Sequence, residues 1–226
     1  MNFSFLPKYY NFFIIGAKNT VLLAVFTVIL GVVLGVILAL MKISRNKILN
    51  FISTTYIEVI RGTPLLVQIF IIYYGLPAIG INFPAPAFLG EYGEEFVAGI
   101  VALSINSGAY VAEIIRSGIQ SVDKGQTEAS RSLGLSYKAT MRYIIIPQAL
   151  KNILPALGNE FIVVIKESSI VSVIGIHELM YNANTVRGNT FIPLEPLLIA
   201  AAIYFILTFT LSKFLGIAER RMSVSD

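Results

Sequence analysis

The chain contains no cysteine and no tryptophan, and its only histidine is His177. The missing cysteine excludes disulfides, thiolate metal sites and a thiol nucleophile. One histidine excludes a multi-histidine metal centre and leaves little from which to build an intramembrane enzyme. Charge is scarce too. Charged residues make up 13% of the chain, about half the share in soluble domains. Hydrophobic residues make up 56%, and mean hydropathy is +0.77. The composition is that of a membrane protein, with 11 Tyr and 15 Phe to serve as interfacial aromatics. No Gly-x-x-x-x-Gly-Lys-Ser/Thr phosphate loop occurs, so the chain does not hydrolyse ATP in that manner. No internal repeat or nucleic-acid-type basic patch is present, and no nucleic-acid partner is expected.

What remains is long apolar runs. A bilayer crossing needs about 20 mostly apolar residues. Five segments qualify, at about 20–41, 55–75, 96–115, 154–176 and 196–217. The first is too long for a signal-peptide core and ends at Met41-Lys42 without a small-x-small site. Lysine and arginine sort sharply between the connecting segments. Lys42, Arg45, Lys47 and Arg61 follow the first span, and Arg116, Lys124, Arg131, Lys138, Arg142 and Lys151 follow the third. Lys213, Arg220 and Arg221 follow the fifth. The opposite side holds only Lys8, Lys18 and Arg187, and its second loop carries Glu91, Glu94 and Glu95. Cations mark the cytoplasmic side. The expected protein is therefore an all-α integral membrane domain of five transmembrane helices, N-out and C-in. The 116–153 segment lies inside the cell. The N-terminal aromatics Phe3, Phe5, Tyr9, Tyr10, Phe12 and Phe13 read as an interfacial anchor on the outer side, with external docking as the alternative.

That cytoplasmic segment carries the strongest motif. Glu128-Ala129-Ser130 is followed after three residues by Gly134, and after nine more by Ile144-x-Ile146-Pro147. The spacing resembles the cytoplasmic loop of ABC-importer permeases, Glu-Ala-Ala, three residues, Gly, nine residues, Ile-x-Leu-Pro. Ser130 and Ile146 depart from it by small or isosteric changes. Asp123–Leu133 reads as a helix that Gly134 ends in a left-handed conformation. Ser136 reads as the N-cap of a second helix running to Pro147. Three other stretches, Arg61-Gly62-Thr63-Pro64-Leu65-Leu66-Val67-Gln68, Tyr110–Gly118 and Lys166–Gly175, are similar to signatures of polar amino-acid permeases of the histidine/arginine/glutamine group. The resemblance covers essentially the whole chain.

The resemblance implies a type I ABC-importer permease fold with a cytoplasmic coupling helix, in a prokaryotic cell membrane. It implies a second permease subunit, a homodimer being favoured over a heterodimer. It also implies cytoplasmic ABC ATPase subunits and an external substrate-binding protein. Glu128, Ala129, Ser130 and Gly134 would transmit the ATPase motion. This chain would bind no cofactor, ATP and Mg residing on the partner ATPase. The rival expectation is an ion-gradient-driven transporter or channel with no ATPase partner.

Ionisable residues inside spans are costly, about 2.5–3.5 kcal/mol each on insertion scales, and point to function. They are Glu113, Glu160, Lys166 and Glu167, joined by the polar Ser104, Asn106, Ser107, Tyr110 and Asn159. Asn106, Tyr110 and Glu113 share one helical face. Glu113 is expected to pair with Arg116 or with another helix. Asn106 suits either a helix–helix hydrogen bond or a ligand contact. Glu160 has no cation within one helical turn. It meets another helix, or a cationic substrate such as arginine. Asn159 beside it suits a substrate carboxylate or amide. Glu160, Asn106, Tyr110, Asn159 and Ser104 are therefore the candidate substrate residues. Thr63-Pro64 predicts a kink in the second span, with Glu58 and Arg61 paired one turn apart.

Overall fold

The computed structural model describes residues 1–223, apart from the side chains of residues 88, 90, 91 and 221–223. The Glu91 and Arg221 side chains, counted above for orientation, lie outside the described residues. The order is α1 (Leu6–Ile43), α2 (Lys47–Gly62), α3 (Leu65–Ala78), α4 (Gly93–Gln120), α5 (Lys124–Ser132), α6 (Tyr137–Thr140), α7 (Ile146–Glu167), α8 (Leu179–Thr190) and α9 (Glu195–Ser223). Short 3-10 turns precede α4 (Ala87–Tyr92) and follow α7 (Ser168–Ile174), and a π turn joins α6 to α7 (Met141–Ile145). No strand occurs among the described residues. By length and composition, α1, α4 and α9 can each cross a bilayer, and the bent pair α2–α3 adds a fourth candidate.

α1 is one unbroken helix from Leu6, with Pro7 in its first turn, where no backbone donor is lost. It includes Tyr9, Tyr10, Phe12 and Phe13 as well as the long apolar run. Its lipid-type face exposes Ile29, Val33, Ile37 and Leu40. Its other face is small, with Thr20, Ala24, Thr27, Gly31 and Gly35 all buried. That face packs along α4. A Cβ on Gly31 would stand 3.0 Å from Ser107 Oγ, one on Gly35 would strike Val111, and one on Gly108 would stand 2.8 Å from Leu34. The close approach lets Ser104 Oγ donate to the Thr27 carbonyl at 3.3 Å.

The second apolar run is not one kinked helix. α2 and α3 meet at 110°. Thr63, which precedes Pro64, is extended (φ −119°, ψ 147°), because the proline ring disfavours the helical region for its predecessor. The break frees backbone carbonyls that lipid cannot satisfy. Thr63 Oγ1 donates to the Val59 carbonyl at 2.8 Å. Gln68 Nε2 donates to the Ile60 carbonyl at 2.6 Å and to Thr63 Oγ1 at 2.8 Å. The fourth run also differs from a simple span. α7 begins at Ile146, ends at Glu167 and unwinds into the 3-10 turn, which Gly175 closes at φ +87°. Serines 168, 169 and 172 each donate to a carbonyl three residues back.

The buried apolar residues fall into groups at the helix crossings. Leu23, Ile69, Phe96, Leu103, Val171 and Ile176 join α1, α3, α4 and the end of α7. Leu38, Ile57, Ala109 and Ala112 join the opposite ends of α1, α2 and α4.

The α1–α4 crossing predicts a sharp contrast between two glycines. Gly35→Ala forces a Cβ into Val111 and should cost about 1–3 kcal/mol, as overpacking does. Gly62→Ala meets nothing within 4 Å and should stay within about 1 kcal/mol. Thermal unfolding of the purified protein in detergent measures both.

Candidate functional site

Among the acids withdrawn from solvent, Glu178, Glu113 and Glu160 are satisfied in different ways. Glu178 is 0% exposed and caps α8. Its carboxylate accepts from the Met180 N–H at 2.9 Å, the Tyr181 N–H at 2.7 Å and the Tyr204 hydroxyl at 2.6 Å. Glu113, near the end of α4, pairs with Lys42 at 2.5 Å and Arg116 at 2.8 Å, with Arg61 at 3.8 Å. The expected Glu113–Arg116 pair is present. The expected Glu58–Arg61 pair is not among the ion pairs of the described residues. The elbow turns Arg61 toward Glu113 and over the Tyr110 ring, 5.3 Å from its centroid.

Glu160 is 8% exposed. Its one hydrogen-bond donor among the described residues is the Ser107 hydroxyl, at 2.8 Å. No ion pair reaches it among those residues. It opens into a cavity of about 380 Å³ between α2, α4 and α7. The polar lining comes from Arg61, Tyr110, Glu113, Ser117, Ser121, Asn152 and Glu160. Asn152 Nδ2 donates to Ser121 Oγ at 2.8 Å.

Of the five candidate substrate residues, Glu160 and Tyr110 line this cavity together. The other three do not. Asn106 is buried and donates to Gln68 Oε1 at 2.8 Å, tying α4 to the α2–α3 elbow. Ser104 bonds α1. Asn159 is exposed and does not line the cavity. Sequence reasoning did not include Arg61, Ser117, Asn152 or Ser121. Ser117 and Ser121 lie one and two turns beyond Glu113 on α4, a periodicity that could have found them. Arg61 and Asn152 come from other helices and leave no local signal. Lys166 is exposed and makes no ion pair with Glu167 among the described residues.

The polar 120–147 segment folds as two short helices. Asp123 caps α5 by accepting from the Gly125 N–H at 2.6 Å. Gly134 at φ +84° ends it. The Leu135 N–H donates to the Ser130 carbonyl at 3.1 Å and the Gly134 N–H to the Arg131 carbonyl at 3.0 Å, a complete Schellman closure. Ser136 caps α6. Ser130 is buried, with its hydroxyl 3.2 Å from Thr140 Oγ1, and it ties α5 to α6. Glu128 and Ala129 are exposed, and so is Leu133 at 81%. The segment therefore presents an acidic and apolar surface on a locked frame. Beyond the spans, His177 lies between Tyr92 and Tyr181, with ring centroids at 3.7 and 4.3 Å. Burial there pushes its pKa below the usual histidine value, and Glu95 partly opposes this.

Residues 31–224 match the family described as binding-protein-dependent transport system inner membrane component. The chain belongs to that family. It is a membrane permease component of such a transport system and not a catalytic enzyme. It is 43% identical to a putative glutamine transport system permease protein of Rickettsia conorii, over 99% of this chain and 100% of that one. It is also 43% identical to an arginine transport system permease protein of Bacillus subtilis, over 95% and 94% of the two chains. A solved amino acid ABC transporter with histidines has a chain of 53% identity and TM-score 0.89, covering 98% of this chain and 100% of that one. A chain of the inward-facing MetNI methionine ABC transporter superposes with TM-score 0.77 at 16% identity, covering 98% and 99%, and shows the shared fold.

The three acids give a stability test. Glu178→Ala leaves two backbone N–H groups and the Tyr204 hydroxyl without their acceptor. Losing a helix cap costs about 0.5–2 kcal/mol and stranding a buried donor about 1–3 kcal/mol. The combined loss should exceed about 2 kcal/mol in thermal unfolding, whereas Glu160→Gln should change stability little.

Proposed function

We propose that this chain, paired with a second permease chain, forms the translocation pathway of an ATP-driven importer of polar or basic amino acids. α1, the bent α2–α3 pair, α4, α7 and α9 are the five crossings, with the N-terminus outside. The alternation of lysine and arginine between connecting segments supports this orientation. ATP and Mg belong to cytoplasmic ATPase subunits. A substrate-binding protein delivers the amino acid from outside. The similarity to the glutamine and arginine permeases above supports this substrate class.

The observation that carries the reading is Glu160. A buried carboxylate facing one neutral hydroxyl is costly, yet it borders an open cavity. A cationic group of the substrate, arginine's guanidinium or an α-ammonium, supplies the missing partner. Tyr110 bounds the same space. Glu128, Ala129, Ser130 and Gly134 form the ATPase contact. Its rigidity, from the Schellman closure and the Ser130–Thr140 bond, suits a part that must pass on a movement rather than absorb it.

Uptake of labelled arginine and glutamine into vesicles tests this, with the chain reconstituted beside its ATPase and binding protein. Arginine uptake should require ATP and fall at least tenfold in Glu160→Gln. Full activity in that variant would make Glu160 structural. Uptake driven by an ion gradient without ATP would favour a secondary transporter and overturn the assignment. The coupling loop has its own readout. Gly134→Val puts a β-branched residue at φ +84°, which such residues rarely adopt. ATP hydrolysis stimulated by the loaded binding protein should drop at least fivefold, with arginine binding to the permease retained.

A further inference from the structure

The cavity beside Glu160 is charged unevenly along its length. Glu160 at one end is acidic, with a single neutral donor. At the other end three cations surround one carboxylate. Lys42 and Arg116 already hold Glu113 at 2.5 and 2.8 Å. Arg61 stands farther off, at 3.8 Å, with 44% of its side chain exposed. It also lines the cavity, which Lys42 and Arg116 do not. Its guanidinium is held in place by the Tyr110 ring rather than consumed by Glu113.

We infer that Arg61 receives the α-carboxylate of the amino acid whose cationic group sits at Glu160. The inference rests on the substrate-site reading given above. Guanidinium suits the role, because its planar fork matches a carboxylate with two parallel N–H donors. Length fits as well. Ser107, which marks the level of Glu160, and Glu113, which marks that of Arg61, are six residues apart on α4, about 9 Å along the axis. An extended basic amino acid spans a comparable distance between its charged ends. Arg61 thus makes the site select amino acids over plain amines, and it fixes which end of the molecule faces the 117–121 end of the cavity. Moving Arg61 to a ligand does not strip Glu113, which keeps its two shorter pairs.

Equilibrium binding to the purified permease–ATPase complex in lipid nanodiscs, without binding protein, tests this. The ligands are arginine and agmatine, which is arginine without its carboxylate. The wild-type complex should favour arginine by about 10- to 100-fold, as a charge-assisted pair provides. Arg61→Gln should weaken arginine binding by a similar factor and leave agmatine unchanged, so the preference collapses. Arg61→Lys should restore part of it, keeping the charge without the fork. Co-elution of each variant with the ATPase on gel filtration checks assembly. Equal weakening of both ligands in Arg61→Gln, or no weakening of either, would overturn the role of Arg61. If arginine binding still depends on Glu160 in that case, the substrate-site reading stands alone. Wild-type complex that binds neither arginine nor glutamine would remove that reading and this inference with it.

Discussion

Helices surrounded by lipid gain little by burying apolar surface against one another, because the lipid is as apolar as the partner. They hold together by closeness and by hydrogen bonds. In this permease the closeness is that of α1 and α4. Gly31 and Gly35 on one helix and Gly108 on the other leave no room for a Cβ. At that separation the Ser104 hydroxyl reaches the Thr27 carbonyl. Ser107, beside Gly31, is turned to meet α7 at Glu160. The cavity, the elbow contact through Asn106 and the Glu113 cluster are all built on α4. Each inherits its position from that crossing.

The three acids show how one chemical group is put to different uses by its surroundings. Glu178 has two backbone donors and a phenol, and it closes the start of α8. Glu113 gathers cations from α1, α2 and its own helix, and it binds together the ends of three elements. Glu160 has one neutral donor among the described residues and lies beside open space. A permease must bind its cargo weakly enough to release it. On the substrate-site reading proposed above, an acid left short by its own fold and completed by a passing molecule would meet that requirement.

Some of this was legible in the sequence. The Glu128–Pro147 spacing, the caps Asp123 and Ser136 and the left-handed Gly134 are local features, and local physics decides them. The long apolar runs of α1 and α9 announce themselves by composition. Glu160 stood out because no cation lay near it along the helix. What the sequence did not disclose is tertiary. Pro64 announces a break but not a 110° turn. Asn106 finds Gln68 from 38 positions away. Arg61 passes over Glu58, three residues away, for Glu113 on another helix, and so arrives in the cavity. Asn159 immediately precedes Glu160 in sequence but is exposed where Glu160 is buried, since successive helical residues are rotated by about 100°.

The π turn at Met141–Ile145 has a similar rotational meaning. Pro147 lacks an N–H, and its ring crowds the carbonyl four residues back. The wider turn, with the Ile146 N–H donating to the Met141 carbonyl, accommodates it. A π turn holds one residue more than an α turn, so it rotates all that follows by about 100° relative to what precedes. Glu160 lies beyond that point, and α5 and α6 lie before it. The azimuth of the acid relative to the exposed surface of α5 and α6 is thus set by a proline thirteen residues earlier. If the α5–α6 surface is the ATPase contact proposed above, a twist of α6 would reach the wall of the cavity through one helix, with a fixed phase offset.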